Sequence, residues 1–218
     1  MKIDRHGKAK ILTLAEIQLL FSQGLTNTRD RTLFGICLFC ACRIKEACTL
    51  RTRDAYDSKG QVLRELIIRK GNTKGKLATR TIPIIDELHS LLKVYQPEAG
   101  ALYLFPGRLK GHLLPDSATK ALRKACSRVG IIGASSHSFR RTALTQMSDN
   151  NTPLRVIQEV SGHRNLQHLQ SYIEVRDEQV RGAVTGLSML SPVGGEFGKI
   201  AYDELEKTQP NQDKLFDS

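Results

Sequence analysis

The segment from about Thr28 to Ala41 reads TRDRTLFGICLFCA, and Leu33, Phe34, Ile36, Leu38 and Phe39 leave a helix built from it almost no polar side. Such a helix belongs at the centre of a core, and the rest of the chain must wrap it. The flanking sequence supplies the wrapping. Thr13-Leu-Ala-Glu16 is a capping box that opens a run with Leu14, Ile17, Leu20 and Phe21 at helical spacing. Further helices are predicted at about Asp86 to Tyr95, from Asp116 or Ser117 to about Val129, and over His137 to Ser148, Pro153 to Ser161 and Asp177 to Leu190. Elsewhere the period changes. Leu63 to Arg69 and Thr79 to Ile84 read as the strands of a hairpin joined by the Gly- and Lys-rich stretch Lys70 to Lys76. Leu102 to Phe105 reads as a short strand stopped by Pro106-Gly107. The expected fold class is α+β, mainly α-helical, with a small antiparallel β-sheet.

Charge narrows the partners. Lys and Arg number 33 against 22 Asp and Glu, a net of +11 in 218 residues. The surplus is uneven: residues 191–218 hold three lysines and six acids, which leaves +14 on residues 1–190. A polyanion is the partner such a body attracts, although charge alone does not separate nucleic acid from an anionic membrane surface or simple solubility. No apolar run reaches the roughly 18 residues that a bilayer-spanning helix needs. The stretch MKIDRHGKAK resembles neither a signal nor a transit peptide, so an intracellular protein is expected, cytoplasmic and nucleoid-associated if prokaryotic or phage-derived. Cys37, Cys40, Cys42, Cys48 and Cys126 are odd in number and mostly lie in an apolar stretch, as buried thiols do, so no disulfide is expected. They lack a second Cys or His pair at finger spacing, and no metal or other cofactor is expected. From Ser191 the chain is acidic and broken by Gly and Pro, which predicts a flexible tail.

Three sets of residues could carry chemistry. His137 and Arg140 stand three apart, on one face of a predicted helix, where both can converge on one anion. The ordinary alternative is a solvated basic face. Gly162-His163 is followed nine residues later by Tyr172, whose phenolate can attack phosphorus, or which simply half-buries near a helix end. Arg43 follows the apolar helix, where its charge must be paired or bound to an anion, and Glu46 is the nearest partner. Together, two arginines, two histidines, a Lys-rich hairpin and a tyrosine form a set able to transfer a phosphoryl group without a metal.

Arg43 with Glu46, the Lys hairpin before Thr79-Arg-Thr-Ile-Pro83, His137-x-x-Arg140, Gly162-His163 and Tyr172, in that order, resemble the tyrosine recombinase (phage integrase) catalytic domain over about Ile11 to Leu190. Tyr103-Leu-Phe-Pro106 and Ser138-Phe-Arg-Arg-Thr142 resemble family segments too. The resemblance implies that domain's fold and a tyrosine that attacks a DNA phosphodiester, leaving a 3′-phosphotyrosyl link and a free 5′-hydroxyl with no need of ATP or metal. It implies Arg43 and Arg140 on the non-bridging oxygens, His137 sharing the Tyr172 proton, His163 bonding a phosphate oxygen and Glu46 orienting its neighbours. A hairpin lysine would be the general acid, Lys74 by its place in Thr-Lys-Gly-Lys, with Lys76 and Lys70 as alternatives. Arg80, Arg141 and Arg164 are expected to contact double-stranded DNA. Ala41 stands where the family has Gly and Ser161 where it has Leu, and only a basic arm of residues 1–10 precedes the catalytic domain of residues 11–190. Self-assembly on DNA, from dimer to tetramer, and accessory DNA-binding proteins are the expected partners. The competing functions are a DNA-binding regulator of the same fold and a type IB topoisomerase-like activity.

Overall fold

The computed structural model describes residues 9–69, 71, 79–108, 111–173 and 177–185. Two compact units divide the chain, residues 1–174 and residues 175–218, and the second contributes one described helix, α9 (Asp177–Thr185). The first unit is built around α2 (Thr28–Phe39), whose Leu33, Phe34, Ile36 and Cys37 are fully buried. Asn27 caps α2, its side-chain oxygen accepting from the Asp30 N–H at 2.8 Å.

Helices α4 (Asp86–Tyr95) and α6 (Ser136–Asp149) lie against α2. Thr32 donates to the Leu91 carbonyl at 3.1 Å, and Phe34 stacks on Phe139 with ring centroids 5.1 Å apart. α1 (Leu14–Leu19) opens on the expected capping box: Thr13 Oγ1 accepts from the Glu16 N–H at 3.2 Å and the Glu16 carboxylate accepts from the Thr13 N–H at 3.1 Å. It runs directly into a π-helical turn over Leu20–Gly24. α5 (Pro115–Arg128) starts a residue before the expected cap, because Pro115 already has the helical φ and lacks only an N–H that the first turn leaves unpaired.

The sheet is the expected hairpin, β1 (Glu65–Ile68) against β2 (Arg80–Pro83), antiparallel, with Leu66 opposite Ile82 and Ile68 opposite Arg80. Its base is pinned by buried Asp54, which accepts from Arg69 at 2.6 Å and from the Arg51 N–H at 3.0 Å. Leu102 to Phe105 is not a strand. A single bridge joins Tyr103 to Arg51, with bonds from Thr52 N–H to the Leu102 carbonyl and Leu104 N–H to the Leu50 carbonyl, before Phe105 enters the core.

Three short features have no counterpart in the sequence reading. α2 stops at Phe39 rather than Ala41, since Ala41 adopts a left-handed φ of 46° that no helix continues through. The chain restarts as α3 (Ile44–Cys48), and α7 (Leu154–Ser161) is followed by α8 (Leu166–Gln170). The five cysteines are buried free thiols. Burial drives the Cys37 thiol well above its ordinary range, and a hydrogen bond with Cys42 together with burial does the same for Cys40. Both therefore behave as apolar filling rather than nucleophiles.

Candidate active site

The site forms where the start of α3, the start of β2, the middle of α6 and the end of α7 meet. Arg43 is the N-cap residue of α3, and Glu46 in the first turn bonds back to it. Glu46, 1% exposed, accepts from the Arg43 N–H at 3.0 Å and from Arg43 Nη1 at 3.1 Å. Oε2, which takes the Arg43 N–H, also receives Arg80 Nη2 at 2.9 Å. Burial raises the Glu46 pKa, but Arg80, the Arg43 N–H and Arg140 outweigh it and hold the carboxyl below its ordinary range. One buried carboxylate thus organises arginines from two separate elements.

Arg140 projects from α6 and is 1% exposed. Its Nη1 donates to the Ala41 carbonyl, and its Nη2 donates to the Ser161 carbonyl at 2.8 Å and lies 3.2 Å from His163 Nε2. Burial and then repulsion from Arg43 push its pKa down to about 10, which leaves it charged at neutral pH. Its Nε–H is buried without a partner among the described residues. The left-handed turn at Ala41 turns that carbonyl to Arg140, so the break in the helix helps set the guanidinium.

His163 follows Gly162, the left-handed residue that ends α7 at φ 63°. Its ring centroid is 5.2 Å from that of half-buried Tyr172. Tyr172 sits in the turn after α8, its N–H bonded to the Leu169 carbonyl at 2.9 Å. Burial, then the Arg140 and Arg43 charges, lower the His163 pKa from about 6.5 to about 3. The imidazole is therefore neutral in the folded protein. The linkage sign follows: below pH 6.5 the unfolded chain takes up a proton that the native His163 refuses, so this contribution is complete above pH 6.5 and is lost as pH falls toward 3. Stability should drop by up to ~1.4 kcal/mol per pH unit in that window, and the His163→Gln variant, followed by urea unfolding at pH 7, 6 and 5, should show a shallower decline.

The other expected residues take several different places. Arg80, expected on DNA, is 10% exposed in its side chain and spends its donors on Glu46 and, through Nε at 3.1 Å, on the Val160 carbonyl. Arg141 faces away from Arg140: it is buried and donates to the Ala9 carbonyl at 2.6 Å, tying down the N-terminal segment. Arg164 is exposed beside His163, and His137 is exposed in the first turn of α6, one turn before Arg140. Lys70, Lys74 and Lys76 lie outside the described residues. Gly162 has a second reason to be glycine, because a Cβ there would stand 2.9 Å from Arg80 Nη1 and 3.2 Å from its Cζ. Gly162→Ala should cost about 1–2 kcal/mol from the left-handed backbone alone. Displacement of Arg80 adds to this, and the loss is readable as a lowered urea midpoint.

A basic stripe went unassigned in the sequence. Lys120, Arg123, Lys124 and Arg128 are exposed along α5 at helical spacing. Lys120 and Lys124 line a groove of about 710 Å³ with Arg29, Arg108 and His112. The spacing within KALRKACSR was the available signal. Among the described residues no group of three His, Cys, Asp or Glu is placed to hold a metal ion, and no helix is long and apolar enough to cross a membrane.

A mainly helical unit with one hairpin, in which a buried carboxylate holds two arginines and a histidine lies between a third arginine and a tyrosine, matches the tyrosine recombinase catalytic-domain class. The chain belongs to the phage integrase family, which it matches over residues 10–179. A tyrosine recombinase of Pseudothermotoga lettingae is 29% identical over 177 residues, covering 79% of this chain and 59% of that protein. The tyrosine recombinase XerA of Pyrococcus horikoshii is 27% identical over 191 residues, covering 85% and 64%. The chain thus spans about three fifths of the length of these relatives. Among solved structures, XerA recombinase superposes with a TM-score of 0.67 at 20% identity, over 83% of this chain and 66% of that one. XerH recombinase, captured after cleavage on its palindromic difH substrate, gives 0.65 at 20% identity, over 85% and 55%.

Proposed function

We propose that this chain is a site-specific DNA recombinase or integrase that cuts and rejoins double-stranded DNA through a phosphotyrosyl intermediate. The observation that carries the reading is the convergence of Arg43, Arg140, His163 and Tyr172, drawn from four parts of the sequence, within the fold of a family whose members are tyrosine recombinases. In the forward step the Tyr172 hydroxyl oxygen bonds to phosphorus, the bond to the 5′-oxygen breaks, and a 3′-phosphotyrosyl ester remains. His137 accepts the tyrosine proton, and a hairpin lysine, Lys74 first and Lys76 or Lys70 otherwise, gives one to the leaving 5′-oxygen. Arg43 and Arg140 stabilise the charge that builds on the non-bridging oxygens, and each such donor is worth roughly 3 kcal/mol of barrier. The ester conserves the energy of the broken bond, so reversal needs no ATP, and the positive charge of the guanidinium pair can serve where other enzymes use a metal.

The exposed α5 stripe and Arg164 hold backbone phosphates in this reading, with affinity that falls as salt rises. Self-assembly on DNA and accessory proteins complete the proposal. The test is to trap the protein on a nicked duplex taken from its own flanking DNA, resolve the adduct on a denaturing gel and map the attached peptide by mass. Phosphoryl linkage to Tyr172 is expected. Linkage to another residue, or no adduct on that DNA, would overturn the reading.

A further inference from the structure

Three consecutive residues at the end of α7 meet Gln158. The Gly162 N–H donates to its backbone carbonyl at 2.8 Å, Ser161 Oγ lies 3.2 Å from the same oxygen, and its side-chain Nε2 donates to the His163 carbonyl at 3.0 Å. The Gly162 bond belongs to the ordinary end of a helix at a left-handed residue. The bond to His163 is different, because a side chain supplies it and it fixes a residue already outside the helix. The partners of the amide settle which way round it lies. Arg155 Nη1 is 2.8 Å from Gln158 Oε1, and a guanidinium only donates, whereas the His163 carbonyl only accepts. The amide oxygen must therefore face Arg155 and the nitrogen must face His163. Arg155 is itself paired with Glu159 at 2.7 Å.

What Gln158 holds is what touches Arg140. Arg140 Nη2 is 3.2 Å from one ring nitrogen of His163 and 3.4 Å from the other, so it lies over the imidazole, and it donates to the Ser161 carbonyl at 2.8 Å. The same imidazole stands 5.2 Å from the Tyr172 ring. We propose that Gln158 is a positioning residue: its side-chain amide fixes the backbone of His163 and so seats the imidazole between Arg140 and Tyr172. Its service to cleavage rests on the recombinase reading given above, whereas its hold on His163 does not. Gln158→Met isolates that hold. Methionine keeps the backbone carbonyl that takes the Gly162 N–H, so the end of α7 survives, and its side chain is of similar length with no donor for His163.

The test uses the charges around the ring. His163 is faced by Arg140 from α6, Arg43 and Glu46 from α3, Arg80 from β2 and the Tyr172 phenol after α8, and burial with the arginines outweighs Glu46 and keeps the seated imidazole neutral. In a carbon–proton spectrum of histidine-labelled protein without DNA, the His163 ring signal, assigned by its loss in His163→Gln, should hold still from pH 8 to pH 5 in the wild type. In Gln158→Met it should move with pH, as the ring leaves Arg140 and regains the titration of an ordinary histidine at about pH 6.5. On the nicked duplex at saturating protein, Gln158→Met should form adduct about tenfold more slowly with unchanged DNA affinity. Made in His163→Gln, the same change should cost less than about twofold, because the residue through which it acts is already gone. A His163 signal as indifferent to pH in Gln158→Met as in the wild type, a wild-type adduct rate in that variant, or an equal loss in the two backgrounds would overturn the proposal. If the wild type forms no adduct, the recombinase reading fails, and the titration alone decides the role of Gln158.

Discussion

Tyr172→Phe should form no covalent adduct on a nicked duplex that traps the wild type, while its fold and its non-covalent DNA affinity stay close to those of the parent. The separation is expected because the substitution removes one oxygen and nothing else. The ring remains half-buried, 5.2 Å from the His163 ring, and the backbone bond to the Leu169 carbonyl does not involve the side chain. Tyr172 is only half-buried, so the stability change should stay within about 0.5 kcal/mol, the usual range for a site outside the core. In the proposed complex, DNA affinity comes from Lys and Arg on backbone phosphates rather than from the phenol. Salt-dependent binding by mobility shift should therefore match within about twofold, and the adduct band should vanish. Loss of binding together with the adduct would instead mean that Tyr172 supports the fold, and residual adduct would mean that another residue attacks.

How much of this was readable beforehand depended on whether a partner was local. The Thr13–Glu16 box, the α2 core helix, the hairpin strands and the Arg43–Glu46 pair all join residues close in sequence, and periodicity or spacing was sufficient for them. Arg80 shows where that stops. It was expected to contact DNA, and nothing nearby announces that its carboxylate is Glu46, 34 residues earlier. Arg141 shares a helix with Arg140, but a step of one residue turns it through about 100°, toward the Ala9 carbonyl and away from the site. Ala41 and Ser161 read as departures from the family pattern. In the fold, Ala41 keeps the left-handed turn and Ser161 supplies a hydroxyl to His163, and both offer their carbonyls to Arg140. Backbone carbonyls carry no signature in a sequence, which is why half of Arg140's surroundings could not be foreseen. Leu102 to Phe105 illustrates the converse error: a short apolar run stopped by Pro106-Gly107 read as a strand, where one isolated bridge forms, flanked by backbone bonds from Thr52 and to Leu50.

Glu46→Gln should be the most destabilising conservative substitution in the site, at about 3 kcal/mol or more, the cost of leaving a buried charge without its partner. The two side chains have nearly the same shape, so the effect isolates charge and acceptor count. Glu46 accepts three bonds from Arg43 and Arg80. Glutamine offers one oxygen, and its amide hydrogens would point at guanidinium donors. Arg80 would keep its bond to the Val160 carbonyl but lose its counter-charge, in surroundings already crowded by Arg43 and Arg140. The lowered pKa of Glu46 sets the pH dependence. Its stabilisation is complete above the ordinary carboxylate range and is lost as pH falls through the depressed folded value, so the gap between wild type and variant should be widest at neutral pH and narrow in acid. A double variant, Glu46→Gln with Arg80→Met, removes both ends of the pair and should recover part of the loss, because the orphaned cation is gone. Urea unfolding of the four proteins closes the cycle, and strictly additive values would show that Glu46 and Arg80 are not coupled. The recovered protein should still cleave poorly, since Arg43 also depends on Glu46 for its orientation. Stability and cleavage should therefore part company in the double variant, which separates the structural service of Glu46 to Arg80 from its positioning service to Arg43.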